Sequence, residues 1–182
     1  PLVGGNITVN AVYTPVTYTV TFKAEGVTVD TENYTVVNPT INEPSVPTKE
    51  HYTGAWESYV LVGGNVEVEA VYTPVTYYVT FVAEGTEVAK LPYTVENKAV
   101  VNPTVPTKEH YTGVWESCPL VGGNITVNAV YTPVTYYVTF VGEEGEVAKR
   151  AYTVENKEIT EPSVPTKPHY TVAWESYTIE SG

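Results

Sequence analysis

The sequence predicts a mainly β protein built from small tandem modules, on the strength of three observations. Threonine, valine and tyrosine, which favour strands, dominate together with the turn-forming residues proline, glycine and asparagine. Along several segments apolar residues alternate with polar ones, which is the period of a strand and not of a helix. The same pattern returns at a fixed interval, which indicates one structural unit repeated along the chain.

The repeat is regular enough to set the boundaries of its copies. Tryptophan and phenylalanine both return every 59 residues, at Trp56, Trp115 and Trp174 and at Phe22, Phe81 and Phe140. The copies align without a gap, with repeat one at 18–76, repeat two at 77–135 and repeat three at 136–182. Residues 1–17 correspond to the closing strand of a preceding repeat, and repeat three lacks its own closing strand. We therefore expect the chain to be an internal piece of a larger protein.

Each repeat opens and closes with an alternating strand. In Tyr18–Phe22 apolar side chains alternate with threonines, and in Val66–Tyr72 they alternate with residues such as Glu67. The position of Glu67 is Thr8 in the first fragment and Thr126 in repeat two, so it accepts any polar residue and faces water. The pattern predicts an antiparallel sheet with one solvated face.

Shorter elements lie between these two strands. Two segments have the composition of short strands, Tyr34–Val36 and Tyr52–Glu57. Two others have the composition of tight turns, Glu25–Gly26 and Gly63–Asn65. The segment Pro44–Lys49 lacks the backbone donors that a central strand needs, so we expect an extended loop. The connection Tyr72–Thr76 contains a proline and little slack, and it is expected to be a stiff hinge.

The core of each repeat must be economical, because about 60 residues is near the lower size limit for independent folding. Trp56 is expected to be buried and to contribute most of the core of repeat one. The predicted core residues are Val20, Phe22, Val29, Tyr34, Val36, Ile41, Val46, Tyr52, Trp56, Leu61, Val68 and Tyr72.

Three motifs in a fixed order carry a resemblance to a known family. They are Val-Thr-Phe at Val20–Phe22, Pro-Thr-Lys-Glu-His-Tyr and then Trp within Pro47–Trp56, and Asn-Ile-Thr-Val-Asn-Ala-Val-Tyr at Asn124–Tyr131. Together with the equivalent segments 59 residues away, they resemble the Listeria–Bacteroides repeat, also called the internalin-type B repeat, over nearly the whole chain. The resemblance implies a small module of β-grasp type, found in tandem on bacterial surface proteins, without catalytic residues.

The chain departs from the pattern of that family in two places. The family has Gly before the Tyr and directly before the Trp, whereas here His51 precedes Tyr52 and Gly54 lies two residues before Trp56. The strand that carries Trp56 is therefore expected to begin differently or to be one residue shorter. The helix of a β-grasp module would fall in Glu84–Val100, where proline, valine and asparagine disfavour a long helix. The sequence thus predicts β-grasp-like or nearly all-β modules, arranged as an elongated rod.

Composition excludes several classes of partner. The net charge is −12 and only nine lysines and arginines are present, too few to neutralise nucleic-acid phosphates. No apolar run is long enough for a transmembrane helix, so membrane insertion is not expected. The single cysteine, Cys118, cannot form an internal disulfide, and it replaces the tyrosines Tyr59 and Tyr177 of the other repeats.

The residues that could carry catalysis or bind metal do not form a constellation. His51, His110 and His169 occupy one equivalent position and are expected to be loop-to-strand junction residues, about a module apart and too far to share a metal. The acidic run Glu143–Glu146 is expected to be a solvated turn. An isopeptide bond between Lys49 and an asparagine is disfavoured, since this lysine is expected to face water. We therefore predict that the protein is not an enzyme, that it has no catalytic or metal-binding residues, and that it binds no cofactor.

Exposed aromatic residues are the one feature that signals a possible ligand contact. Tyr78 and Tyr137 lie on the threonine face of the opening strand, where repeat one has Thr19. A tyrosine on a solvated sheet can stack on a sugar ring or meet a partner protein. Cross-strand pairing on the sheet explains these residues as well, and it is the favoured interpretation.

The leading functional interpretation is a spacer or stalk that holds an adhesive or other functional domain away from a bacterial cell. The region would be extracellular and attached to the cell wall. The alternative is a multivalent carbohydrate- or protein-binding adhesin module. In either case a host or matrix protein or a glycan would be reached through the larger protein.

Self-association is a further expectation from the repeat alignment. The segment Asn6–Tyr13 differs little from the closing strand Asn124–Tyr131, and it would complete the third repeat of another copy, head to tail. The alternative is that Asn6–Tyr13 packs within its own chain against Tyr18–Glu57.

Small-angle scattering tests the rod arrangement. A compact chain of this length has a radius of gyration of about 16 Å. Three modules in line, each with strands of roughly 26 Å, should give a value well above about 20 Å. A measured value near that of the compact chain would contradict the rod.

Overall fold

The computed structural model describes residues 4–179, and within that range the chain is all-β, as the sequence predicts. Ten strands form three separate sheets, and no helix occurs among these residues. The first compact unit ends at Val75 and the second begins at Thr76. The strands are β1 (Thr17–Ala24), β2 (Val27–Thr35), β3 (Tyr52–Trp56), β4 (Val66–Pro74), β5 (Tyr77–Ala83), β6 (Thr86–Tyr93), β7 (Tyr111–Trp115), β8 (Ile125–Pro133), β9 (Tyr136–Gly142) and β10 (Gly145–Tyr152).

The first sheet has the strand order β2-β1-β4-β3, and the second repeats it as β6-β5-β8-β7. The two central strands are parallel, with Val20 opposite Val66 and Phe22 opposite Val68, whereas the outer pairs are antiparallel. The expected antiparallel sheet is therefore a mixed one. Parallel strands cannot be joined by a tight turn and need a long crossover connection. In this module the loops at 36–51 and 57–65 supply that connection, where other folds use a helix.

The core of the first module lies on one face of the two central strands. Val20, Phe22 and Val68 are fully buried, and Tyr34 joins them from β2. The Trp56 ring lies 4.9 Å from that of Phe22, centroid to centroid, and its Nε1 donates to the Pro44 carbonyl at 2.8 Å. Trp56 is half-buried, whereas the sequence predicts that it is buried, because its ring covers the core from the outside and its indole N–H binds the proline-rich loop.

Strand β2 differs most from the prediction. It begins at Val27, directly after the turn, although the sequence pattern indicated a strand only over Tyr34–Val36. Two valines assigned to the core are exposed, Val29 by 36% and Val36 by 55%. Strand β2 is the outer strand of its sheet, and the covering loops pack over β1 and β4, so only Tyr34 reaches the core.

A buried tyrosine anchors the glycine turn that leads into the closing strand. The Tyr34 hydroxyl donates to the Gly64 carbonyl at 2.7 Å and accepts the backbone N–H groups of Gly63 and Gly64 at 3.2 Å. Gly63 has a φ of +93°, a conformation that glycine adopts without steric cost. The same bond recurs in repeat two, where the Tyr93 hydroxyl donates to the Gly123 carbonyl. The turn is therefore held by a side chain of the edge strand β2, which is separated from β4 by β1.

The third repeat has the packing of the others with fewer strands. Strands β9 and β10 form its sheet, and no strand is present in 153–179. The Trp174 ring still lies 5.1 Å from that of Phe140, and its Nε1 still donates to the Pro162 carbonyl. At the other end of the described range, residues 4–16 form no strand, although the pattern of 6–13 is that of a closing strand.

A glycine in the tryptophan-bearing strand makes room for the proline-rich loop. A Cβ at Gly54 would lie 2.7 Å from Val46 Cγ1 and 3.0 Å from Tyr72 Cε1. At Gly113 the corresponding distances are 2.7 Å to Val105 and 2.8 Å to Tyr131. Only a residue without a side chain fits there, which explains why a glycine occurs two residues before the tryptophan.

Substitution at this position tests that explanation. We expect Gly113→Val to destabilise repeat two by about 1–3 kcal/mol, because overpacking outweighs the better strand propensity of valine. The measurement is hydrogen exchange of the β7 and β8 amides, which reports on this repeat alone. Val114→Thr, on the exposed face of the same strand, is the control and should change stability by less than about 0.5 kcal/mol. Equal protection in the two variants would contradict the packing argument.

Candidate functional site

The connection between repeats two and three is short and bonded back to the preceding repeat. Strand β8 ends at Pro133 and β9 begins at Tyr136, so two residues separate them. The Val134 N–H donates to the His110 carbonyl at 2.7 Å. This hydrogen bond joins the connecting chain to the turn that precedes β7.

His110 makes the principal side-chain contact across this junction. Its Nδ1 lies 3.0 Å from the Tyr136 hydroxyl, and the two rings meet edge to face with centroids 5.7 Å apart. Its Nε2 is enclosed without a hydrogen-bond partner, 3.6 Å from a carboxylate oxygen of Glu109. The histidine thus lies where a loop meets strand β7, as expected, and it also contacts the first residue of the following repeat, which the sequence did not predict.

The backbone at this histidine is strained. His110 has a φ of +62°, and the equivalent histidines have values of 66° and 68°. The left-handed region costs a residue with a side chain about 1–2 kcal/mol relative to glycine. A glycine at this position would avoid this cost. The histidine offsets part of it through the contact with Tyr136.

A second pair of side chains crosses the same junction. The Tyr111 hydroxyl donates to Glu155 Oε1 at 2.9 Å, and this hydrogen bond raises the pKa of Tyr111. Tyr136 also packs on Tyr152 within repeat three. The sequence reasoning did not identify Tyr136 or Glu155 as site residues. The only signal was that both residue types return 59 positions apart.

The two tyrosines singled out as ligand contacts lie on the exposed face of their sheets. Tyr78 is 39% exposed and Tyr137 is 55% exposed. A lysine of the neighbouring strand lies over each ring, with Lys90 Nζ 4.9 Å from the Tyr78 centroid and Lys149 Nζ 4.4 Å from that of Tyr137. Such cation–π contacts account for a tyrosine at this position without a ligand.

The conserved spacing of Lys49 reflects a structural contact. Its ammonium group forms an ion pair at the surface, with Nζ 2.7 Å from Glu25 Oε1 and 4.6 Å from the centroid of the Tyr52 ring. The bond to Glu25 raises the pKa of Lys49. Asn65 is engaged elsewhere, its Oδ1 accepting the Thr19 N–H at 3.0 Å. The isopeptide pair considered from the sequence is therefore occupied by other partners.

The remaining candidates have local explanations. Glu143 of the acidic run pairs with Lys167, as its counterparts do in the other repeats. Cys118 is half-buried against the second core, and burial raises the pKa of its thiol, which makes it a weak nucleophile near neutral pH. Over residues 4–179, no group of three histidine, cysteine or acidic side chains is arranged to hold a metal ion. No helix in that range is long and apolar enough to cross a membrane.

A double-mutant cycle across the junction measures its strength. His110→Asn, which tolerates the left-handed backbone, combined with Tyr136→Phe should show a coupling of about 0.5–1.5 kcal/mol, the contribution of one hydrogen bond. The free energy of unfolding is measured by denaturant titration. The control cycle combines His110→Asn with Tyr137→Phe, which lies on the other face of β9 and should not couple. A coupling of zero in the first cycle would show that the junction contact contributes nothing.

Comparison with known proteins assigns the repeats. The profile of the Listeria-Bacteroides repeat domain matches residues 18–56, 77–115 and 136–174, which together make up more than half of the chain. Each match ends at the tryptophan, so it omits the closing strand that the first two sheets place at their centre. No curated protein matches the chain. Repeats of this family occur in bacterial surface proteins.

Proposed function

We propose that this chain, which belongs to the Listeria-Bacteroides repeat family, is a spacer region that holds an adhesive or other functional domain away from the bacterial surface. The proposal includes attachment of the larger protein to the cell wall. The supporting observation is the junction between repeats two and three, where His110 contacts Tyr136 and Tyr111 bonds Glu155.

A restrained junction is what a spacer needs. A flexible chain extends only as the square root of its length, whereas rigidly joined modules each add their full length. The two-residue connection at Val134–Thr135 leaves little freedom, and side chains on both sides of it hold the modules together. The near-identity of the copies supports the same role, because the reach of the region changes when whole copies are gained or lost. The charge of −12 reduces adhesion between neighbouring stalks.

A second candidate function is multivalent binding of a glycan or a matrix protein. The observation that favours it is the recurrence of an exposed tyrosine at Tyr78 and Tyr137. Stacking of a sugar on these rings requires that Lys90 and Lys149 move aside, since each lies over a ring. The spacer role requires no such rearrangement.

Distance measurements between spin labels test the spacer proposal. Labels are placed on the exposed residues Thr126 and Glu146 as cysteines, in a Cys118→Ser background. We expect a narrow distance distribution in this protein and a broader one when Tyr111→Phe and Tyr136→Phe are added. Tyr137→Phe is the matched control and should leave the distribution narrow. A broad distribution in the parent protein would contradict a rigid spacer.

An array of glycans and matrix proteins separates the two functions. The spacer proposal expects no specific binding by this chain. Specific binding that is lost in the variant Tyr78→Thr with Tyr137→Thr, which restores the residue found in repeat one, would favour the binding module. Both substitutions lie on a solvated sheet face, so they should leave the fold intact.

A further inference from the structure

An open groove, the repeat-one groove, lies between the loop at 36–51 and the segment that follows β3. Its volume is about 860 Å³, which is within the range of ligand-binding clefts. All of its lining residues fall within 39–46 and 55–61, so the closing strand contributes none of them. Its walls are aliphatic or aromatic and both of its charged side chains are acidic: Ile41, Trp56, Tyr59 and Leu61, and Glu43 and Glu57.

Each of the two carboxylates is held in place through one oxygen. Glu43 Oε1 accepts the Tyr59 hydroxyl at 2.7 Å, and Glu57 Oε1 accepts the backbone N–H of Glu69 at 3.0 Å. Both glutamates are exposed, and the second oxygen of each can accept a further hydrogen bond. Among the described residues, no lysine or arginine lines this groove. The groove therefore presents two positioned negative charges with no cation in its lining.

The equivalent groove of repeat three contains a lysine. Lys157 is one of its lining residues, and it stands where repeat one has Pro39. The two carboxylates and the two aromatic rings recur there as Glu161, Glu175, Trp174 and Tyr177. The same set of side chains thus surrounds an alkylammonium group in one repeat and lacks it in another.

Repeat two departs from this set at two positions. Asn102 stands in place of Glu43 and Cys118 in place of Tyr59, so both partners of the hydrogen bond in repeat one are replaced together. Repeat two also carries its own lysine, Lys98, at the position equivalent to Lys157. It is therefore an internal comparison with less negative charge beside its tryptophan.

We propose that the repeat-one groove binds a lysine side chain of a partner protein. The alkyl stem lies against the aromatic and aliphatic wall, as lysine stems do on apolar surfaces. The ammonium group lies between Glu43 and Glu57, where it donates to their second oxygens. An aromatic ring beside it adds a cation–π attraction. The partner supplies from outside the lysine that repeat three carries in its own sequence.

The binding of one lysine in this groove is weak. Solvent screens the charges of exposed carboxylates, so the dissociation constant should be on the order of 1 mM. Such an affinity does not retain a free protein, but it orients a partner that is already held nearby at a high effective concentration. The contact adds to the spacer role and does not depend on Tyr78 or Tyr137.

Titration of the full chain with Nα-acetyl-lysine amide, followed by NMR, tests the proposal. The indole N–H signals of Trp56 and Trp115 report on the first and second repeats separately. We expect the Trp56 signal to shift and to saturate in the millimolar range, while the Trp115 signal stays in place. Nα-acetyl-norleucine amide has a similar apolar side chain without the ammonium group, and it should shift neither signal.

Three variants of repeat one separate the charge of the groove from the charge of the chain. Glu43→Gln keeps an acceptor for the Tyr59 hydroxyl but removes the carboxylate charge, and it should weaken binding about threefold or more. Glu50→Gln is the matched control, because this exposed glutamate lies in the same loop outside the groove. It should bind the probe like the parent. Pro39→Lys should abolish the Trp56 shift, since it supplies the lysine that repeat three has.

The reciprocal exchange in repeat two provides a gain of binding. Lys98→Ala combined with Asn102→Glu and Cys118→Tyr introduces the carboxylate and the tyrosine of repeat one and removes the competing ammonium group. The Trp115 signal of this variant should then respond to the lysine probe. A Trp115 signal that stays in place in the correctly folded variant would contradict the assignment of these residues.

Three results would overturn the proposal. Equal shifts of Trp56 and Trp115 in the parent would indicate attraction to the acidic chain as a whole. A Trp56 shift of the same size with the norleucine probe, or in Glu43→Gln, would indicate an apolar contact without recognition of the ammonium group. A Trp56 signal that does not move at about ten times the expected dissociation constant would show that the groove binds no lysine.

Discussion

The parallel pairing of the first strand with the last is the interaction on which the rest of each complete module depends. It places β1 and β4 side by side in the centre of the sheet, and these strands supply the fully buried Val20, Phe22 and Val68. It also obliges the intervening chain to cross one face of the sheet. The crossing segment covers the core. The outer strands β2 and β3 pair with the two sides of the central pair. In repeat three, where β9 has no such partner in the described range, burial of the equivalent valine is incomplete.

The crossing segment keeps its place through polar contacts of aromatic side chains, without a helix or a disulfide. Trp56 donates to the Pro44 carbonyl and Tyr72 donates to the Pro47 carbonyl, both at 2.8 Å. Tyr59 donates to Glu43, and burial together with this bond raises the pKa of Tyr59 to about 12. Prolines offer carbonyl oxygens but no N–H groups, so a proline-rich loop matches a set of aromatic donors. This explains how so small a module holds a long irregular loop.

The strands whose side chains alternate between core and water could be predicted from the sequence. This alternation has a period of two residues whichever strand is paired with them in the sheet. It did not locate most of β2, since only Tyr34 of that edge strand reaches the core and the other residues face water in any register. The parallel pairing and the contact of His110 with Tyr136 join residues far apart in the chain, and the alternation of residues within a single strand does not reveal such contacts. Residues that make contacts within a repeat and residues that make contacts between repeats both recur every 59 positions. Recurrence therefore could not show that Glu155 contacts the preceding repeat whereas Lys49 contacts its own.

The parallel arrangement of β1 and β4 determines how a complete module responds to a pulling force. The chain enters the first sheet at Thr17 and leaves it at Pro74, and parallel strands place these two points at opposite ends of the central pair. Tension applied through the chain therefore slides one strand along the other and loads all of their hydrogen bonds together. A hairpin pulled at its open end would instead lose its bonds one at a time. A module of this topology resists extension before it yields, and the crossing loop cannot lengthen until the central strands have separated.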